Sequence, residues 1–194
     1  ILVDCALLEE RKALMSRIPA ELMENDVIAE RVAMYHADCG QFDKCLKILR
    51  EGYFYPWEVY KGVRLLYVDA LIGRGLELME HKQFKGAIAS FRAVMEYPRN
   101  IGVGEPFFKA NAEALYRIGI ALERGGDRKG ARRYFQQAAG EKRPSPGELS
   151  YYQARALQKL GNGKQAAAVL SGLLSWALKS LEEKRGDEAE NHYL

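Results

Sequence analysis

The stretch Leu115-Tyr116-Arg117-Ile118-Gly119-Ile120-Ala121-Leu122, followed by Gly126-Asp127, Ala131, Phe135 and Ala138, decides how this 194-residue chain folds. Its apolar residues recur at helical intervals on either side of a glycine turn, the pattern of two amphipathic helices laid back to back. The pattern repeats. Gly75, Ala87, Phe91 and Val94 stand 44 positions before Gly119, Ala131, Phe135 and Ala138. Ala154, Ala166, Leu170 and Leu173 stand 35 positions after them, and Ala33, Cys45, Leu49 and Gly52 stand 42 positions before the Gly75 set. Four positions moving together through four copies mark stacked helical pairs.

Close packing explains the residue types. A small residue on each first helix (Ala33, Gly75, Gly119, Ala154) admits the second helix, which brings its own small residue (Cys45, Ala87, Ala131, Ala166). Glycine in Gly40-Gln41, Gly126-Asp127 and Gly161-Asn162 ends the first helix in a left-handed turn, and Lys82 stands in that place in the second copy. This spacing predicts helix pairs near 27–39 with 42–51, 59–80 with 83–96, 108–124 with 127–139, and 148–160 with 163–184. An amphipathic helix over 3–18, with Val3, Leu7, Leu14 and Ile18 on one face, precedes them.

These residues resemble the tetratricopeptide repeat, a helix-turn-helix unit of about 34 residues. The resemblance covers about residues 26–180 and implies an all-α, right-handed superhelical solenoid. The expected organisation is a single repeat domain over 1–194, with repeats near 27–56, 59–98, 108–144 and 148–184, cut from a longer chain. The resemblance further implies a concave groove lined by the first helices. Carried over position by position, the lining is Glu30, Met34 and Asp38, then Asp69, Leu76, Met79 and Glu80, then Glu113, Tyr116, Ile120, Glu123 and Arg124, then Tyr151, Arg155, Gln158 and Lys159. Chaperone-binding members clamp a peptide carboxylate with Lys, Arg and Asn, whereas Glu30 and Met34 hold the first-repeat positions here, so that clamp is not expected.

Two insertions account for the long spacings. Phe54-Tyr55-Pro56-Trp57-Glu58 is similar to F-H-P-W-E-G-G-E-G, and Tyr97-Pro98-Arg99-Asn100-Ile101-Gly102-Val103-Gly104 is similar to Y-P-E-N-L-G-x-G. Both motifs occur in the C-terminal repeat region of a family of large bacterial proteins of unknown function, whose front part resembles a carbohydrate-handling β domain. Tyr55 replaces the His, and Val59-Tyr60-Lys61-Gly62 replaces the glycine-rich run. The resemblance implies a helical appendage, so an accessory region of a carbohydrate-active enzyme is the alternative to a free-standing scaffold.

Composition fits a folded chain, with 48% hydrophobic and 28% charged residues and a net charge of +3. Basic clusters have acidic neighbours, as in Glu9-Glu10-Arg11-Lys12, so no nucleic-acid partner is expected. No apolar run approaches the roughly 20 residues of a membrane span. Cys5, Cys39 and Cys45 form no C-x-x-C pair, which fits a reducing, cytoplasmic setting and argues against a disulfide or zinc framework.

No catalytic motif, metal or cofactor is expected. His36, His81 and His192 have no partner at ligand spacing. Gly102-Val103-Gly104 lacks the rest of any nucleotide fingerprint. The cluster Phe54, Tyr55 and Trp57, with Tyr53 and Tyr60, either packs its insertion or forms an exposed docking patch. The segment Tyr97–Pro106 is expected to be ordered, held by its prolines and by Ile101 and Val103. In the last helix, Leu170, Leu173, Leu174, Trp176, Ala177, Leu178 and Leu181 cover more than one stripe. Either His192-Tyr193-Leu194 or a second copy is expected to cover what the third pair leaves, the latter making a homodimer, and the alternative is that the long helix wraps its own repeat. The function read from all this is a non-enzymatic module that holds a protein or peptide, either a separate partner or a domain of its own chain.

Overall fold

Four helix-ending turns each rest on one residue with a left-handed backbone, and in each the same two hydrogen bonds close the turn. Gly40 N donates to Ala37 O and Gln41 N to His36 O. The same pair recurs as Lys82 to Met79 with Gln83 to Leu78, Gly126 to Glu123 with Asp127 to Leu122, and Gly161 to Gln158 with Asn162 to Leu157. These bonds satisfy carbonyls that the ending helix leaves open. The left-handed residues are Gly40, Lys82, Gly126 and Gly161, with φ of 69°, 57°, 91° and 84°.

The structure is a computed structural model that describes residues 5–15, 17–55, 62–102, 104–107, 109–141, 146–147 and 149–191, with side chains between 10 and 183. The helices are α1 (Cys5–Met15), α2 (Asp26–Asp38), α3 (Phe42–Glu51), α4 (Gly62–Glu80), α5 (Phe84–Ala93), α6 (Ala112–Arg124), α7 (Arg128–Gly140), α8 (Ser150–Lys159) and α9 (Gly163–Asn191). Two short 3-10 turns, Ala20–Glu24 and Arg99–Ile101, join them, and no strand occurs among the described residues.

Most ends fall near the expected positions, and the departures have local causes. α1 stops before Ile18 because Pro19 follows, and the residue before a proline avoids helical geometry. α6 begins at Ala112 rather than 108, and the Asn111 backbone N–H is held by both oxygens of Glu141 at 3.1 and 3.0 Å. α2 begins where Asn25 accepts from Val27 N and Ile28 N at 3.1 and 3.2 Å, and α7 where Asp127 accepts from Gly130 N at 2.8 Å. Val3, Leu7 and Trp57 lie outside the residues whose side chains are described, as do Val103 and His192-Tyr193-Leu194.

The chain divides into two compact units, Ile1–Gln83 with Glu96–Glu105, and Phe84–Met95 with Pro106–Leu194. In the first unit, α3 packs between α2 and α4, and α2 touches α4. Ala33, Cys45, Leu49, Ala70 and Leu71 are fully buried there. Burial, with Asp38 nearby, pushes the Cys45 thiol up to about 11, so it serves as a small core residue rather than a nucleophile. Phe42 of α3 occupies the space over Gly73 of α4, where a Cβ would meet its ring at 2.4 Å.

In the second unit, each of α5 to α9 packs on the next, and α6 also lies against α8. Leu115, Ala131, Phe135, Ala138 and Ala156 form one buried cluster, and Ala154, Leu157 and Ala166 form another. The small residues therefore sit at the contacts their spacing implied. The room at Gly119 is taken by the Phe135 ring, which a Cβ there would meet at 2.4 Å.

Candidate functional site

Because the helices alternate direction, the first helices of the last two repeats, α6 and α8, lie side by side and share one face. Tyr116 projects from α6 onto it, with ring centres 5.8 Å from Phe135 and 5.9 Å from Tyr152 of α8. Tyr151 and Tyr152 meet edge to face at 5.3 Å. Cations are interleaved with these rings. Arg117 donates to Glu113 one turn earlier at 2.8 Å and reaches across to the Tyr152 hydroxyl at 3.1 Å. Arg155 donates to the Tyr151 hydroxyl at 2.9 Å. Lys159 joins α8 to Glu123 of α6 at 2.5 Å and stands 5.9 Å from the Phe135 ring centre.

Burial, and then hydrogen bonding to Glu113, pushes the Tyr152 phenol above its ordinary value, so it keeps its proton. The Lys159–Glu123 pair has side chains 34% and 39% exposed. Water screens such a pair, so it contributes at most about 1 kcal/mol and sets geometry more than stability. The face thus carries flat rings, hydrogen-bond donors and carboxylates side by side on two helices.

Of the lining positions expected from sequence, Glu113, Tyr116, Glu123, Tyr151, Arg155 and Lys159 come together here. Arg124 and Gln158 are exposed on the same two helices. In the first unit, Glu30 and Met79 are 4% and 6% exposed and belong to the interior. Met34 is half-buried, and Asp38 pairs with Arg11 at 2.9 Å. Asp69, Leu76 and Glu80 are exposed on α4. Arg117 and Tyr152 were absent from the expected lining, although Glu113-x-x-x-Arg117 spacing and the Tyr151-Tyr152 doublet were available as signals.

The aromatic cluster divides. Phe54 is buried, while Tyr53 and Tyr55 are 59% and 63% exposed with ring centres 5.0 Å apart. Phe54 therefore packs the insertion, and Tyr53 joins Tyr55 at the surface. His36 is a rim residue, its Nδ1 2.8 Å from Gln41 Oε1. Among the described residues no His, Cys, Asp and Glu gather as metal ligands, and no helix is long and apolar enough to cross a membrane.

Residues 113–141 match the family model described as Tetratricopeptide repeat. Comparison with curated proteins returns no match. Solved structures similar to this chain include a MamA RS-1 ArsTM double mutant at 15% identity and TM-score 0.48, covering 92% of this chain and 90% of that one. MamA MSR-1 aligns at 16% identity and TM-score 0.41, covering 92% of each chain. MamA 41-end from Desulfovibrio magneticus RS-1 aligns at 15% identity and TM-score 0.40, covering 92% and 98%. The chain is built of tetratricopeptide-like helix-turn-helix repeats, and the one over residues 113–141 carries the family's own sequence pattern.

Proposed function

We propose that this chain is a non-catalytic interaction module that holds an extended peptide, from a partner protein or a neighbouring domain, on the face shared by α6 and α8. The observation that carries this reading is the interleaving of Tyr116, Tyr151 and Tyr152 with Arg117, Arg155 and Lys159 across two adjacent helices. Aromatic rings and arginine dominate binding energy at protein interfaces, and here both are pre-positioned. The test is selection of peptides on the 194-residue chain, followed by binding to a Tyr151→Ala, Arg155→Glu variant. A loss of at least about tenfold, with folding intact by circular dichroism, supports the reading. Selected peptides that bind the variant as well as the parent overturn it.

A second reading, the accessory region of a carbohydrate-active enzyme, draws on one observation. The two stretches that resemble the bacterial family meet in the first unit, where Phe54 N donates to Asn100 O at 2.7 Å. Sequence upstream of residue 1 separates the readings, since a β-rich front domain favours the accessory role and further helical repeats favour the scaffold.

A further inference from the structure

A cleft of about 470 Å³ lies in the first unit. Its walls are the 3-10 turn Ala20–Glu24, the start of α2, the end of α3, and the loop after it. Three carboxylates line it, Glu24, Asp26 and Glu51, and no Lys or Arg does among the described residues. Asp26 is fixed in place, one oxygen accepting from Val27 N at 2.9 Å and the other from Tyr55 N at 3.4 Å. Glu24 and Glu51 are exposed and form no ion pair among the described residues. Such a concavity concentrates the negative potential of its three carboxylates.

Two rings complete the wall. Tyr53 and Tyr55 line the same cleft, their planes inclined at 66° with centres 5.0 Å apart, which makes an aromatic corner. The corner is held from beneath. Asn100 Nδ2 donates to Leu49 O and Gly52 O at 2.8 Å each, the Phe54 N–H donates to Asn100 O, and the Phe54 ring is buried against Gly52. Hydrogen bonds and the buried Phe54 ring therefore hold the backbone that carries the two exposed rings.

We infer that this cleft binds an organic cation, a guanidinium or ammonium group, seated against the Tyr53–Tyr55 corner and neutralised by Glu24, Asp26 and Glu51. Carboxylates alone would hold a hydrated metal ion as readily. The two rings select instead a cation with weakly hydrated, polarising hydrogens that can lie on a π face. An Arg or Lys side chain of a partner segment meets the description, as does a free amine. This assignment is independent of the α6–α8 reading.

The test uses the whole chain and three probes, monitored by NMR shifts of the Tyr53 and Tyr55 amides and rings. The probes are a short acetylated peptide containing one arginine, the same peptide with citrulline, and tetramethylammonium. Saturable shifts with the arginine peptide, weakened at least about fivefold by citrulline and several-fold by Tyr55→Leu, are expected. The Glu24→Gln, Glu51→Gln double variant, whose changes are at exposed positions, should weaken binding about tenfold and flatten its salt dependence. Response to the peptide but not to tetramethylammonium names a side chain as the source, and response to both admits a free amine. Equal binding of the citrulline peptide, or no saturable shift with either cation, overturns the proposal.

Discussion

Lys82 holds a left-handed backbone, φ 57°, at a turn where the other three repeats place glycine. Its side chain is exposed, so no packing compensates the clash between Cβ and the following carbonyl. Lys82→Gly is expected to raise stability by about 1 kcal/mol in urea denaturation, and a lowered midpoint would contradict the strain. At Gly119 the effect runs the other way. An alanine Cβ would lie 2.4 Å from the Phe135 ring, and Phe135 is itself buried among Leu115, Ala131 and Ala138. Gly119→Ala and Ala131→Leu should each cost about 1–3 kcal/mol by overpacking, although alanine is the better helix former at position 119. Equal stability of either variant would remove the assigned repeat phase.

At the scale of elements, the described contacts of Glu96, Tyr97, Asn100 and Ile101 tie the loop after α5 to the first unit. Ile101 is 3% exposed, as its apolar character implied, but most of the holding is polar. Asn100 serves the carbonyls of Leu49, Arg50 and Gly52 at the α3 end, and Arg64 donates to Glu96 O at 2.8 Å while its guanidinium stands 4.4 Å from the Tyr97 ring centre. Asn100→Ala leaves partly buried carbonyls open and should cost about 1–3 kcal/mol. Faster hydrogen exchange at the Phe54 amide and quicker tryptic cleavage at Arg99 are the expected signs. Native-like protection at both places in the variant would assign the order of the segment to Ile101 alone.

On the scale of the whole molecule, the last helix leaves an apolar surface. Leu174, Leu178 and Leu181 are 61%, 54% and 59% exposed and Trp176 is 38% exposed, while Leu170, Leu173 and Ala177 are half-buried. Four large apolar groups in water along one helix exceed what scattered surface residues explain. Reversible self-association at high concentration is expected by sedimentation, with Trp176→Lys shifting the chain back to monomer. A parent chain that stays monomeric at every concentration removes the second copy as the cover for this face.

The sequence by itself determined the helical pairs, their phase and their turns, because these rest on short-range periodicity. Apolar residues three and four apart, glycine at a helix end, and small residues recurring in step each leave a local mark, and the helices follow them. That α6 lies beside α8 was implied by the resemblance to the tetratricopeptide repeat rather than by periodicity, and the structure brings the two into contact. Only the tertiary structure decided which side chains meet. Periodicity gives the face of a helix but not the rotation of its neighbour, so Tyr152 and Arg117 joined the α6–α8 face while Glu30 and Met79 turned inward. In the loops the local signal was weaker still. Phe54 went in and Tyr53 came out because Asn100, 46 positions after Phe54, fixes that backbone through hydrogen bonds that no nearby residue encodes.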